Sequence, residues 1–121
     1  MQPTITNLQP AIDEAVLARV LGHRSGGEII ALYLSEAGFA LQMLRAAVQN
    51  GNSAGLREAA HRLKGSSGYV GARGVQTLSA ELEQIGRSGA VSEAATTLLS
   101  LLEDEFEHVC RRLESAAAQA A

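Results

Sequence analysis

The sequence predicts an all-α protein: an antiparallel up-down-up-down four-helix bundle with a short N-terminal capping helix. Three observations predict it. Hydrophobic residues make up 46 % of the 121 residues, yet aromatics are only 3 % and there is no Trp. Ala and Leu therefore fill the interior, which favours helix-on-helix packing over a sheet. The only prolines are Pro3 and Pro10, so the rest of the chain is free of the strongest helix breaker. Apolar residues recur at three-four spacing through four long segments, and no segment sustains a period of two.

Residues 1–9 lack periodicity and read as an extended lead-in. A short helix over about 10–22 follows, with Ile12, Val16 and Val20 on one side and Leu17 and Leu21 beside them. The segment from His23 to Gly27 interrupts it. A helix over about 27–50 carries Ile30, Tyr33, Leu34, Ala37, Leu41, Leu44 and Val48 on one seam, while Phe39 and Met43 lie off it and are placed under the short first helix. Gly51-Asn52-Ser53 is a stop-and-restart signal, with Gly as C-cap and Asn or Ser as the next N-cap.

The third long segment, about 53–70, buries Leu56, Ala60, Leu63, Ser67 and Val70, and Gly71 can end it. The next helix, about 72–87, presents Val75, Leu78, Leu82 and Ile85, and a break runs from Gly86 to Gly89. The last helix, about 92–116, carries Ala95, Leu98, Leu102, Phe106, Val109 and Leu113, followed by an Ala-rich tail over 117–121. Four such helices joined by short breaks pack as one bundle over residues 10–116, with the short first helix across one end.

A net charge of −3 without a basic cluster carrying interleaved aromatics argues against nucleic acid. Cys110 is the sole cysteine, so no internal disulfide can form and a reducing compartment is the simpler reading. No signal peptide and no apolar run long enough to span a bilayer is read in the sequence. The expectation is a cytoplasmic, monomeric domain with no membrane partner.

One stripe stands out. His61, Lys64, Gly65 and Gly68 follow i, i+3, i+4, i+7 and stack on the water-facing side of the third long helix. Glycine inside a helix costs about 1 kcal/mol relative to Ala, so two in one turn suit a surface where another backbone comes close. Lys64 lies one turn from His61, where its ammonium can meet an anion bound at the imidazole. Taken singly, a surface histidine, a lysine and a helix-packing glycine are ordinary; aligned on one stripe they are not.

The run His61-x-Leu63-Lys64-Gly65-Ser66-Ser67-x-x-Val70-Gly71-Ala72 resembles the signature of histidine-containing phosphotransfer (HPt) domains. The likeness extends through the preceding Gly-Asn-Ser-Ala-x-Leu-Arg-x-Ala-Ala approach and the following Leu-x-x-Glu-Leu-Glu helix. Members of that family are four-helix bundles that shuttle a phosphoryl group between receiver-domain aspartates. The resemblance implies that His61 is the phosphoacceptor, that Lys64 is the cation beside the phosphoryl oxygens, and that Gly65 and Gly68 let the receiver loop approach. It also implies receiver domains of response regulators and a cognate hybrid sensor kinase as partners. Many relatives carry Phe where Tyr33 stands and Pro in place of Gly38, positions that touch packing and not the site.

The chemistry suits those residues. Imidazole, with an ordinary pKa of about 6.5, offers an unprotonated nitrogen nucleophile near neutrality. Phosphoryl transfer is carried by positioning and charge neutralisation. The stripe has no carboxylate cluster to hold a metal, so no cofactor is expected on this chain and Mg2+ is expected on the receiver.

Helix geometry adds Glu83. From His61 to the turn near Gly71 the chain spans about 15 Å, and the returning helix covers that distance by residue 82 or 83. Leu82 faces the core, so Glu81 and Glu83 flank it at the level of His61. Glu83 is the candidate acceptor of a hydrogen bond from Nδ1 that leaves Nε2 free to attack; an ordinary exposed carboxylate is the competing reading. Arg57, one turn before His61, extends the stripe as a candidate docking residue, and Arg62 and Arg73 read as solvated surface. His23, His108 and Cys110 have nothing beside them that suggests chemistry. A helical adaptor binding a partner through the same face is the alternative function. A metal-binding bundle is disfavoured because the seams are apolar.

Overall fold

The computed structural model describes residues 11–120 of the protein; the lead-in read at residues 1–9 lies outside the described residues. Five helices follow in order: α1 Glu14–Leu21, α2 Gly26–Asn50, α3 Ser53–Val70, α4 Arg73–Arg87 and α5 Glu93–Ala120. α3 packs between α2 and α4, α5 closes the ring against α4 and α2, and α1 lies on α2 and α3. Among the described residues there is no strand.

Local chemistry sets the boundaries. Gly51 ends α2 with φ 63° and Gly71 ends α3 with φ 84°, left-handed conformations that glycine takes without a Cβ penalty. Asn52 then caps α3 by accepting from the Gly55 N–H at 3.0 Å. Asp13 caps α1, accepting from the N–H groups of Ala15 and Val16. The α1 start is tied to the α3–α4 turn: Asp13 N–H donates to the Gly71 carbonyl at 2.8 Å and Gly74 N–H to the Ala11 carbonyl at 3.1 Å. Arg73 reinforces this tie at 2.6 Å, and its hydrogen bond is the main cause holding the Asp13 carboxyl below its usual range. Arg112 on α5 grips Glu14 through both carboxylate oxygens. α1 thus covers the end of the bundle where α3 turns into α4.

The core is aliphatic. Leu44, Leu56, Leu82, Leu102 and Leu113 are each fully buried, and each contributes on the order of 2 kcal/mol relative to exposure. Tyr33 sets a buried polar cross-link between α2 and α3, its hydroxyl 2.7 Å from Ser67 Oγ, with its ring edge-on to Phe106. Burial raises the Tyr33 phenol above its ordinary pKa, with the Ser67 hydrogen bond opposing.

Four expectations about the elements change, and one about hydropathy. The buried line of α4 is Val75, Ser79, Leu82, Glu83 and Gly86, with Leu78 and Ile85 only partly covered. Gly86 lies inside α4 and not in the break after it, because the bare Cα is needed there: a Cβ would stand 2.6 Å from the Arg57 backbone nitrogen. Phe39 and Met43 are not under α1; they are 59 % and 48 % exposed beside the α2–α3 groove. α5 runs on to Ala120, since alanine is the strongest helix former and Ala116 is buried.

By length and composition α2 is apolar enough to cross a membrane, contrary to the expectation that no segment is. In the bundle its apolar line, Ile30 to Ala47, forms core, and Glu28, Glu36 and Arg45 stand exposed along it.

Candidate functional site

α3 carries the predicted stripe on its outer side. Ala60 and Leu63 are buried, so His61, one residue past the buried line, turns outward. Its side chain is 65 % exposed. Gly65 is exposed, and a Cβ there would meet nothing within 4 Å. Gly68 is half-buried; a Cβ there would press on the far end of the Gln76 side chain reaching over from α4. The stripe is therefore open at Gly65 and partly roofed at Gly68.

Behind His61 lies Glu83. The Gly86–Arg57 backbone contact brings α4 close to α3 one turn beyond Glu83, and the carboxylate spans the remaining gap. Its Oε2 accepts from His61 Nδ1 at 2.8 Å and from Arg87 Nη2 at 3.0 Å, while Oε1 accepts from Lys64 Nζ at 2.6 Å. The Glu83 side chain is only 3 % exposed, so the exposed-carboxylate reading of this position is set aside. A buried carboxylate needs such partners to remain charged. The Lys64 hydrogen bond, aided by His61 and Arg87, outweighs burial and lowers the Glu83 pKa to about 2.

An ionised carboxylate can only accept hydrogen bonds, so the Nδ1 facing it carries the proton. In a neutral imidazole the other nitrogen, Nε2, then holds a free lone pair. Glu83 thus fixes ring orientation and tautomer together. Lys64, expected beside an anion on the imidazole, stands on Glu83 within the same cluster.

Arg57 lines a groove of about 240 Å³ with Glu58, His61, Glu83 and Arg87. Arg87 was missed by sequence reasoning, although its place four residues after Glu83 on one helix is the signal that could have found it. Arg73 is occupied by Asp13 at the bundle end and takes no part. Among the described residues no group of three or more His, Cys, Asp or Glu could hold a metal ion. Cys110 is half-buried on α5, where burial raises its thiol pKa.

On the neighbouring side, α2 and α3 form a larger groove of about 830 Å³ whose lining includes Phe39, Met43, Glu58, Arg62 and Ser66. Leu32, Phe39 and Met43 fall on one stripe of α2 and, with Tyr69 of α3, supply most of the exposed large apolar side chains. Glu58 lines both grooves, so the apolar face adjoins the His61 cluster.

A family model of the Hpt domain matches residues 28–121, from the start of α2 onward. The fold is similar to the crystal structure of histidine-containing phosphotransfer protein B (HptB) from Pseudomonas aeruginosa, with TM-score 0.85 and 28 % identity over 91 % of this chain and 96 % of that one. A rice protein described as a histidine-containing phosphotransfer protein shares the fold at TM-score 0.79 and 17 % identity, over 93 % of this chain and 83 % of that one. No curated protein sequence matches significantly. With its bundle, its exposed imidazole on α3 and this match over most of its length, the chain belongs to the Hpt domain family, the histidine phosphotransfer carriers that work with response-regulator receiver domains in phosphorelays.

Proposed function

We propose that His61 is the phosphoacceptor of this carrier, with Nε2 as the attacking atom. The observation that supports it most is the Nδ1–Glu83 hydrogen bond of 2.8 Å behind a ring that is 65 % exposed. The Nε2 lone pair attacks the phosphorus of a receiver aspartyl phosphate; the N–P bond forms as the P–O bond to the aspartate carboxyl breaks, and the carboxylate leaves. The ring gains positive charge in this step, and the Glu83 carboxylate stands ready to neutralise it. No proton has to leave Nε2, because the tautomer already places it on Nδ1. The reverse attack by a second receiver aspartate returns Nε2 to its lone pair.

Lys64, on a flexible stem, turns from Glu83 to the phosphoryl oxygens as their charge arrives. Mg2+ is supplied by the receiver. The chain acts as a transfer intermediate without an ATP site of its own, and a hybrid sensor kinase stands upstream. Gly65 and Gly68 admit the receiver loop, Arg57 meets its acidic rim, and the exposed face of α3 with parts of α2 forms the docking surface. The protein works as a cytoplasmic monomer.

The test is to offer the protein a phosphorylated receiver and look for an acid-labile, base-stable adduct. Labelling that disappears in His61→Gln is expected. Absence of label, or label that persists in that variant, overturns the assignment in favour of an adaptor that binds without transfer.

A further inference from the structure

Three donors converge on Glu83, and they do not share it equally. Lys64 holds Oε1 alone, while His61 and Arg87 both hold Oε2. If Lys64 turns to a phosphoryl group, Oε1 loses its partner in a site where the side chain is only 3 % exposed. A buried carboxylate stripped of a partner takes up a proton, and a protonated Glu83 no longer needs the hydrogen on Nδ1. The tautomer that leaves Nε2 reactive would then be lost when it is needed.

Arg87 is placed to prevent this. It sits one turn after Glu83 on the same helix, already 3.0 Å from Oε2, and its side chain is 52 % exposed and so has room to slide across. Its planar guanidinium carries five donors in a fork that matches both oxygens of a carboxylate. Arg57 and Glu58 of α3 line the rest of the groove, and no hydrogen bond or ion pair joins either to Glu83. Resting on the reading of His61 as phosphoacceptor, we propose that Arg87 is a positioning residue that takes over Glu83 when Lys64 leaves for the phosphoryl group. It holds the carboxylate ionised and Nδ1 protonated through the transfer.

The resting protein can be put into the Lys64-free condition by substitution, so the takeover is measurable without phosphate. The Glu83 carboxyl carbon and the His61 ring nitrogens are followed by NMR across pH in the wild type, Lys64→Ala, Arg87→Gln and the double variant. Circular dichroism of each checks the bundle, and Arg87→Lys is run as the conservative control. Each single variant is expected to keep Glu83 ionised and Nδ1 protonated at neutral pH. In the double variant the Glu83 midpoint is expected to rise by about one unit or more beyond the sum of the single shifts, about a tenfold increase in the ratio of protonated to ionised carboxyl at a given pH. The ring nitrogens there should report mixed tautomers, and Arg87→Lys in the Lys64→Ala background should recover part of the shift. A double variant that titrates like Lys64→Ala alone overturns the proposal. If the wild type takes no label from a phosphorylated receiver, the phosphoacceptor reading fails instead, and the titrations still decide whether Arg87 covers Glu83.

Discussion

Tyr33 and Ser67 are bound hydroxyl to hydroxyl at 2.7 Å in the interior between α2 and α3, and Ser67 lies six residues beyond His61 on the same helix. Relatives that carry Phe at the Tyr33 position have no hydroxyl there to satisfy; this chain supplies one and meets it with Ser67.

That pairing predicts a non-additive response. Tyr33→Phe leaves the Ser67 hydroxyl buried without its partner and should cost about 1–2 kcal/mol. Adding Ser67→Ala removes the orphan and should recover about 0.5–1.5 kcal/mol of it. Urea unfolding of the four chains measures the coupling; strict additivity would show that the two hydroxyls do not support one another.

Glu83 makes stability depend on pH. Its pKa is lowered from the ordinary 4.5 to about 2 in the folded protein, so the unfolded chain binds a proton more readily between those values. The stabilisation is full above pH about 5 and is lost as pH falls through about 2, for a total of about 3 kcal/mol. Unfolding measured from pH 7 down to pH 2 should show this slope, and Glu83→Gln should flatten it. The same variant is expected to transfer phosphate more slowly and to show a mixed His61 tautomer by NMR.

Two helix glycines should respond in opposite directions to the same substitution. Gly86→Ala would set a Cβ 2.6 Å from the Arg57 backbone nitrogen and 2.7 Å from its Cα. Backbone cannot step aside cheaply, so a loss of about 1–3 kcal/mol is expected. Gly38→Ala on α2 meets nothing within 4 Å and should gain about 0.5–1 kcal/mol from helix propensity. Thermal melts compare them directly, and a Gly86→Ala protein as stable as the parent would mean that the close approach of α3 and α4 is not needed.

Gly68→Arg should block transfer while leaving the melting temperature near that of the parent. The neighbour displaced is the Gln76 side-chain end, which is flexible, whereas an arginine standing on the stripe obstructs the receiver. Normal transfer by this variant would remove Gly68 from the docking surface.

Much of this was legible in the sequence because the helices announce their own ends. Gly51, Asn52 and Gly71 gave boundaries that the structure reproduces. α4 was read less well: its buried line includes Ser79, Glu83 and Gly86, residues that a search for apolar periodicity passes over. Phe39 and Met43 were visibly off the seam, but periodicity states only which way a side chain points from its own helix, not what stands opposite. Helix rise placed Glu83 level with His61, yet could not show its burial, which depends on how closely α4 approaches. Arg87 carries no signal of its own in the sequence; only its spacing of four from Glu83 on one helix marks it.

The site has a front and a back. Nδ1, Glu83 and Arg87 stand behind the ring, and on the proposed reading the reacting atom turned to the partner is Nε2 alone. On the proposed reading nothing in this protein distinguishes the receiver that donates from the receiver that accepts. Net flow is then a matter of mass action, set by the phosphorylation potentials and concentrations of the two receivers. The same molecule would drain a pathway as readily as feed it when the balance between them reverses.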